Sequence, residues 1–565
     1  MAIVLFATLP AAVASPSADG QVAAIARTYF STGFRMSPTT ATSLGVHAYD
    51  AELDDVSPAA VAARLALDRA MLTKLVAIDR GALTPDGNVD WHLLANQMHD
   101  ELLLDGTLEQ WRHDPDQYVQ LASGAIFSLM SRDFAPLATR MRDAIARETA
   151  IPAMLARGRL DTTTVDAVTK EISADDAQGS ISFFTQSVPE AFATVSNPAL
   201  QARLRHANMT AANAMREYAA WIATIKPSGT FAIGAEAYRK RLLYEDGLDM
   251  SVSQYLGYGE RALAQTRAEF IATARKIDPH ASPLAVYLSL AKDYPPPSQL
   301  LSIASADLTK LRAFIISHHI VTVPPGAQIT VVETPPFQRA FVTAEEDSAG
   351  PLEMNATQAY YYVTPPDPSW PKDRIAGFMA QFNRYEFPII SAHEVYPGHF
   401  TNFSIDRHLH LSLTRELSMS SEFAEGWAHY GEQNIVDQGW GNGDPRVRLA
   451  QLEEALLREC RYVAGVKLHT AGWSLQRTER LFEDECFQTP AVALEETLRG
   501  TQDPMYGYYT LGKLMILKLR ADYKKKLGSA YTLQKFDDAF LAHGDPPIPL
   551  VRPLILGSSD DGRPL

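Results

Sequence analysis

The sequence predicts a mainly α protein, a large helical fold that carries a small β-sheet. Apolar residues recur at three- and four-residue intervals over long segments, which predicts amphipathic helices. Short β-branched or aromatic runs bounded by Pro, Gly or Asn are confined to one region and predict strands. The chain has 565 residues, of which 46% are hydrophobic and 21% charged. Such a composition is typical of globular proteins, and the length allows a sizeable core.

The predicted elements fall into two regions. Helical periodicity covers residues 59–79, 137–156, 198–225, 251–277 and 445–470. The strand-like runs are residues 320–323, 329–332 and 359–363. We therefore expect a helical N-terminal region over residues 15–245, followed by a region over 246–565 that carries the sheet and the densest motif.

The start of the chain resembles a secretory signal. Residues 1–14 form an apolar run that ends in Ala12-Val13-Ala14, although no Lys or Arg precedes it. Such a run is too short to span a membrane, and its small-x-small end is typical of signal peptidase cleavage. We expect residues 1–14 to be a signal peptide and the protein to be periplasmic or extracellular. No later stretch predicts a transmembrane segment.

Charge and cysteine content narrow the functional classes. The formal net charge is −15, which argues against nucleic-acid binding through the overall electrostatic field. Cys460 and Cys486 are the two cysteines. They form neither a framework of several disulfides nor a four-thiolate zinc site. A single bridge and two buried free thiols are both compatible with the sequence.

The most specific motif is His-Glu-Val-Tyr-Pro-Gly-His over residues 393–399. Zinc peptidase helices place two histidines four residues apart, with a glutamate after the first as general base. Here Pro397 occupies the fourth position, and His399 would point about 120° away from His393 in a regular helix. Pro397 breaks the turn and Gly398 tolerates unusual backbone angles. Two residues could therefore loop out, which would bring His399 back to the face that carries His393. Alternatively, the helix ends there and the histidines are unrelated.

A second motif follows on a predicted helix. Glu422, Glu425, His429 and Glu432 recur at spacings of three, four and three residues, so all four share one helical face. A catalytic zinc ion needs three protein ligands and an open position for water. Two histidines and one carboxylate would satisfy it. The spacing does not choose among the four residues, and a charged outer face is the alternative.

With both motifs considered, the chain resembles the domain of unknown function 885 family. That family has His-Glu-x-x-Pro-Gly-His and then Glu-Gly-Trp-Ala-x-Tyr, matched here by residues 393–399 and 425–430. The resemblance implies zinc held by His393, His399 and Glu425, with Glu394 as base. The chain is also distantly similar to gluzincin metallopeptidases, in which a glutamate on a second helix is the third ligand. The resemblance thus implies a metallopeptidase-like catalytic region over residues 246–565.

The resemblance covers about residues 235 to 555. Arg461, His469 and Tyr509 lie in segments similar to later family motifs. The chain departs from the family at Phe400, where a second histidine usually follows the ligand. The proposed ligands and base are retained, so activity is expected.

These residues predict zinc-dependent peptide hydrolysis. Zinc would lower the pKa of a bound water, and Glu394 would take its proton and pass it to the leaving amine. Tyr509 and His469 are candidate donors to the oxyanion. Arg461 could bind a substrate carboxylate, or form a salt bridge on a helix surface. The small sheet could pair with an extended peptide substrate.

Two other functions remain open from the sequence. The same water and base would serve a zinc amidohydrolase that acts on a non-peptide amide or ester. A helical binding protein could instead hold a structural zinc, with His429 as a fourth ligand. The glutamate after the first histidine favours catalysis, because a structural site does not need a base.

Overall fold

The computed structural model describes residues 17–335, 339 and 343–565; the predicted signal peptide lies outside this range. The first half of the chain is helical, as predicted. Its helices are α1 (Ala18–Met36), α2 (Pro38–Leu44), α3 (Pro58–Val76), α4 (Pro85–Leu104), α5 (Asp116–Met130), α6 (Leu137–Asp161), α7 (Ala167–Ser182), α8 (Val188–Ala191), α9 (Pro198–Thr224), α10 (Gly234–Tyr244), α11 (Val252–Ile277), α12 (Pro283–Leu290) and α13 (Leu300–Ser317).

The second half contains the sheet and the remaining helices. The strands are β1 (Ile329–Glu333), β2 (Ala344–Asp347) and β3 (Ala359–Val363). The helices are α14 (Lys372–Met379), α15 (Phe387–Glu394), α16 (His399–Asp406), α17 (Leu413–Glu416), α18 (Ser421–Asp437), α19 (Pro445–Ala471), α20 (Leu475–Cys486), α21 (Pro490–Gln502), α22 (Tyr508–Leu527), α23 (Leu533–Phe540) and α24 (Ile548–Leu556). The mainly α class with a small sheet is therefore confirmed.

Local capping explains where two of the long predicted helices begin. Asn197 caps α9 through a hydrogen bond from the Leu200 amide. Ser251 and Gln254 form a capping box at the start of α11. These side chains accept hydrogen bonds from amides that have no partner within the helix. The observed helices accordingly match the five predicted segments, with ends that differ by a few residues.

The sheet has the strand order β1-β3-β2. Strand β1 is parallel to β3 and β2 is antiparallel to it, so β2 forms one edge. The prediction of a strand at residues 320–323 is wrong. The amide and hydroxyl of Thr322 bond to the carboxylate of Asp538, at 2.7 Å each, instead of to a neighbouring strand. Buried Ile320 and Val321 explain the apolar run, because they pack in the core as a loop.

Buried apolar residues form separate clusters. The largest lies between Tyr238 and Leu556 in the sequence and includes Tyr361 of β3 and Trp427 of α18. Another is built mainly from α5, α6, α7 and α9. The sheet and the motif helices thus share one core, whereas the predicted boundary at residue 245 stays a prediction.

A disulfide joins Cys460 of α19 to Cys486 of α20. Of the two alternatives that the sequence allows, the structure therefore has the bridge, and neither thiol is free. Within the part of the chain that the structure describes, none of the helices combines the length and apolar character needed to cross a membrane.

Candidate metal centre

The first motif is a tight loop between two helices. Helix α15 ends at Glu394 and α16 begins at His399. The amide of Gly398 donates to the carbonyl of Ala392 at 3.0 Å, so the chain folds back directly onto α15. A Cβ atom on Gly398 would lie 1.6 Å from the carbonyl oxygen of His393. Only glycine fits this approach, and the loop returns His399 to the side of His393.

Helix α18 supports this loop from the other side. The indole Nε1 of buried Trp427 donates to the carbonyl of Pro397 at 2.9 Å. A Cβ atom on Gly431, one turn further along α18, would lie 3.0 Å from the Pro397 ring. This close contact sets the distance between the histidine loop and the face of α18 that carries the acidic residues.

Three side chains from these helices converge. The Oε2 atom of Glu425 lies 3.3 Å from Nε2 of His393 and 3.4 Å from Nε2 of His399. One donor atom from each residue lies within 4.8 Å of the others. Zinc binds imidazole nitrogen and carboxylate oxygen at 2.0–2.2 Å in a tetrahedron, which places neighbouring donors about 3.3 Å apart. The three donors fit a zinc ion that keeps one position for water.

The electrostatics of the group favour a bound cation. Burial lowers the pKa of His393, but the neighbouring carboxylates of Glu425 and Glu432 outweigh it and raise the pKa to about 10. Burial opposes the ionisation of Glu425, yet His399 and His393 hold its pKa well below the usual range. Its Oε2 atom is buried without a hydrogen-bond partner. A divalent ion could replace the proton that His393 would otherwise carry.

Glu432 fixes the orientation of the first histidine. Its Oε1 atom lies 2.7 Å from Nδ1 of His393 and 3.3 Å from Nη2 of Arg458. Its Oε2 atom lies 3.0 Å from Nδ1 of His429. A carboxylate on Nδ1 of an imidazole fixes the ring and leaves Nε2 to face a metal. Glu432 and His429 therefore support the cluster from behind.

The four polar residues that share one face of α18 make different contacts. Glu422 accepts a hydrogen bond from the Ile548 amide at 2.6 Å, away from both histidines of the loop. Glu432 and His429 bond to one another. Among these candidates, Glu425 is the one that contacts both His393 and His399.

Glu394 lies beside the cluster on the last turn of α15. Its Oε2 atom accepts a hydrogen bond from the backbone amide of Glu346 at 2.9 Å. Glu346 belongs to edge strand β2, so the sheet holds this carboxylate in place. The neighbouring side chain on β2 is also acidic: Glu345 is exposed, and partial desolvation together with the charge of Glu394 raises its pKa to about 7. Strand β2 was missed in the sequence, because Ala-Glu-Glu-Asp lacks the β-branched and aromatic residues that mark strands.

Tyr509 lies on the opposite side, at the start of α22. Helices α18 and α22 approach closely, since a Cβ atom on Gly512 would lie 1.8 Å from the carbonyl oxygen of Glu422. This packing brings the Tyr509 ring to 6.3 Å from the His393 ring. Arg499, which the sequence analysis did not identify, donates to the Tyr509 hydroxyl at 3.3 Å. No local pattern distinguishes Arg499, because its role depends on how α21 packs against α22.

Arg461 is occupied by an ion pair. Its Nε and Nη2 atoms each lie 2.7 Å from a carboxylate oxygen of Glu496, which joins α19 to α21. Both side chains are buried. Of the two sequence interpretations, the structure has the salt bridge, although it is internal and not on a helix surface. The guanidinium also lies 5.2 Å from the Tyr509 ring centre.

His469 lies away from the cluster. It is about 16 Å further along α19 than Arg458, the residue of that helix that reaches Glu432. Its Nε2 atom lies 2.8 Å from the Gly500 carbonyl, and burial lowers its pKa to about 4. Of the two candidate oxyanion donors, Tyr509 is therefore the one that the structure brings to His393.

The fold and this site define a mainly helical protein with a candidate metal centre of two histidines and one glutamate. The chain belongs to the family described as bacterial protein of unknown function (DUF885), whose model matches residues 38–555. No curated protein matches it.

Two solved structures show the same fold. One, from Shewanella oneidensis, is described as a "putative lipoprotein of unknown function"; it is 24% identical, has a TM-score of 0.80, and the match covers 95% of this chain and 99% of that one. The other is described as a "putative lipoprotein" from Colwellia psychrerythraea. It is 16% identical, has a TM-score of 0.72, and the match covers 97% of this chain and 100% of that one.

Proposed function

We propose that this protein is a zinc-dependent hydrolase of peptide bonds, related in its site to gluzincin metallopeptidases. The observation that carries the proposal is the convergence of His393, His399 and Glu425, whose donor atoms lie within 4.8 Å of one another, with Glu394 next to His393 in the chain. Bound there, zinc would lower the pKa of a water molecule and polarise the scissile carbonyl. The Glu432 carboxylate keeps Nε2 of His393 directed at the ion.

In this proposal Glu394 is the residue that transfers the proton. Its carboxylate takes the proton of the attacking water and delivers it to the leaving amine. The hydrogen bond from the Glu346 amide holds one carboxylate oxygen, which keeps the base oriented while substrate binds. The Tyr509 hydroxyl, held by Arg499, is the candidate donor to the developing oxyanion.

The position of β2 favours a peptide over a non-peptide amide or ester. Strand β2 pairs with β3 alone among the described strands, so the part of its other edge that Glu394 does not occupy can pair with an extended backbone. That edge carries the Glu346 amide that reaches Glu394, so a peptide aligned along β2 would pass the base. A structural zinc site is less well supported, because His429 bonds to Glu432 instead of joining the cluster.

A digest of mixed peptides, read by mass spectrometry, tests this function. We expect the zinc-loaded protein to cut peptide bonds, to lose the activity on chelation and to regain it when zinc is restored. The Glu394→Gln protein, purified and treated in the same way, is the control for contaminating peptidases. Zinc-loaded, folded protein that cuts no peptide in the mixture would exclude the proposal.

We also propose that the protein is exported. The support is the apolar run at residues 1–14 with its small-x-small end, together with the Cys460–Cys486 bridge, since disulfides persist in oxidising compartments. N-terminal sequencing of the native protein should find a mature chain that begins near Ser15. Recovery of a native chain that retains residues 1–14 would contradict the signal peptide.

A further inference from the structure

A cavity of about 460 Å³ lies where α4, α10, the start of α18 and the segment before α22 meet. Its charged lining consists of four carboxylates and one guanidinium: Asp100, Glu245, Asp246, Asp503 and Arg241. The lining is therefore strongly acidic, and the cavity is large enough to hold a side chain or the end of a peptide.

The single arginine does not neutralise the cavity. Arg241 pairs with Glu245 at the end of α10, and its Nε atom lies 3.8 Å from Oδ1 of Asp100. The side chain of Asp246 forms no hydrogen bond or ion pair with any residue that the structure describes. Its Oδ2 atom is buried without a partner, and the residue is 4% exposed. A buried carboxylate without a cation is costly, so the site favours a ligand that supplies one.

Neutral groups add hydrogen-bond acceptors to the same lining. The Oε1 atom of Gln97 and the hydroxyl of Ser420 are buried and have no hydrogen-bond partner. Both residues line the cavity with Asp246. An ammonium group carries three donors and no acceptor, and so it matches a lining of carboxylate, amide and hydroxyl oxygens.

The charge state of Asp246 agrees with a missing cation. Burial raises the pKa of its carboxyl to about 8; Arg241 opposes the rise, and the charges of Asp100 and Asp503 add to it. A positive group beside the carboxyl would favour its ionised form. The ammonium group and the ionised carboxylate of Asp246 would then form a charge-assisted hydrogen bond, and such bonds are stronger than those between neutral groups.

The cavity adjoins the candidate metal centre. Ser421, which lines it, begins α18, and Glu425 follows one helical turn later, about 6 Å along the axis. Tyr508 also lines it, and the Tyr508 ring lies 4.7 Å from that of Tyr509. The Tyr509 ring in turn lies 6.3 Å from the His393 ring. A substrate held over the cluster could therefore place one of its ends or side chains in the cavity.

We infer that this cavity is a specificity pocket that receives an ammonium group of the peptide substrate. The ammonium is supplied either by the substrate amino terminus or by a lysine side chain. The inference rests on the proposed peptidase function, because it assigns a subsite of the same centre.

Matched peptides separate the two sources of the ammonium group. The set contains alanine-rich peptides with one lysine or one norleucine, each with a free or an acetylated amino terminus. We expect the protein to prefer peptides with the ammonium by roughly ten- to a hundredfold in kcat/KM, as a charge-assisted bond in a dry site allows. Loss of the preference on acetylation assigns the amino terminus; loss with norleucine assigns the side chain.

Asp246→Asn removes the charge while keeping the shape of the side chain. We expect it to abolish the preference for ammonium peptides over their neutral counterparts, whereas the exposed control below should retain that preference. Asp249→Asn is the matched control, because Asp249 follows in the same loop but its side chain is 80% exposed. Asp100→Asn removes another carboxylate charge from the same cavity, and it takes the place of Asp246→Asn in the test if that variant fails to fold.

Binding measurements keep the inference testable without turnover. Calorimetric titration of the zinc-loaded Glu394→Gln protein with the same peptides should show the same preference, and adding Asp246→Asn should remove it. Selective binding without hydrolysis by the wild type would reject the peptidase proposal and retain the pocket. Equal binding and equal turnover of charged and neutral peptides would overturn the pocket.

Discussion

Replacement of Glu425 by alanine is expected to abolish stable zinc binding and, with it, hydrolysis. Glu425 supplies a carboxylate oxygen that lies within 3.4 Å of Nε2 of both His393 and His399. Two imidazoles alone leave the ion with an incomplete set of ligands. His393→Ala should have the same effect. Metal analysis after dialysis measures the loss, and zinc should no longer raise the midpoint of thermal unfolding, as a ligand of the native state otherwise does.

Glu422→Gln is the matched control for this prediction. Glu422 lies on the same helix, one turn before Glu425, and burial raises its pKa well above the usual range. Glutamine resembles the neutral acid and can still accept the hydrogen bond from the Ile548 amide. We therefore expect Glu422→Gln to retain zinc. The third ligand is misassigned if Glu425→Ala keeps zinc while Glu422→Gln loses it.

The long helices were predictable because their information is local. A helix such as α19 (Pro445–Ala471) repeats its apolar residues over many turns, and Asp444 and Pro445 mark its start in the sequence. The same local rules failed for the sheet. Residues 320–323 have the composition of a strand but are buried as a loop, whereas β2 is a strand with three acidic residues. Strand β2 exists because β3 pairs with it, which no local pattern records.

The candidate site, like the fold, was predictable from the sequence only in part. Motif spacing identified His393 and His399 as candidate ligands and left open which residue of α18 would face them, whereas the family resemblance implied Glu425. That choice depends on the close approach of Gly398 to the His393 carbonyl and on the hydrogen bond from Trp427 to Pro397. Both are contacts of the folded chain and leave no local pattern in the sequence. The hydrogen bond from Glu346 to Glu394 joins segments that are 48 residues apart. Such contacts follow from packing and could not be predicted from one sequence.

Glu394→Gln is expected to reduce turnover by about a hundred- to ten-thousandfold, the usual contribution of a general base. Glutamine keeps the shape of the side chain, and its carbonyl oxygen can still accept the hydrogen bond from the Glu346 amide. The substitution removes only the basic carboxylate. Zinc content and the midpoint of thermal unfolding should stay close to wild type, because Glu394 is not among the three grouped donors. Steady-state kinetics on a peptide from the digest, with metal analysis of the same sample, measure both effects.

Glu345 supplies the control that makes this result specific. Glu345 is the carboxylate next along β2, and partial desolvation together with the charge of Glu394 raises its pKa to about 7. As the neighbouring carboxylate on the strand that contacts Glu394, it is the residue to test as a substitute base when Glu394 is replaced. We expect Glu345→Gln alone to lower turnover much less than Glu394→Gln does, because the Glu394 carboxylate remains. If Glu394→Gln retains substantial turnover and the added Glu345→Gln removes it, Glu345 shares the role of base. Full turnover by the doubly substituted protein would mean that neither carboxylate transfers the proton, and the proposed mechanism would be wrong.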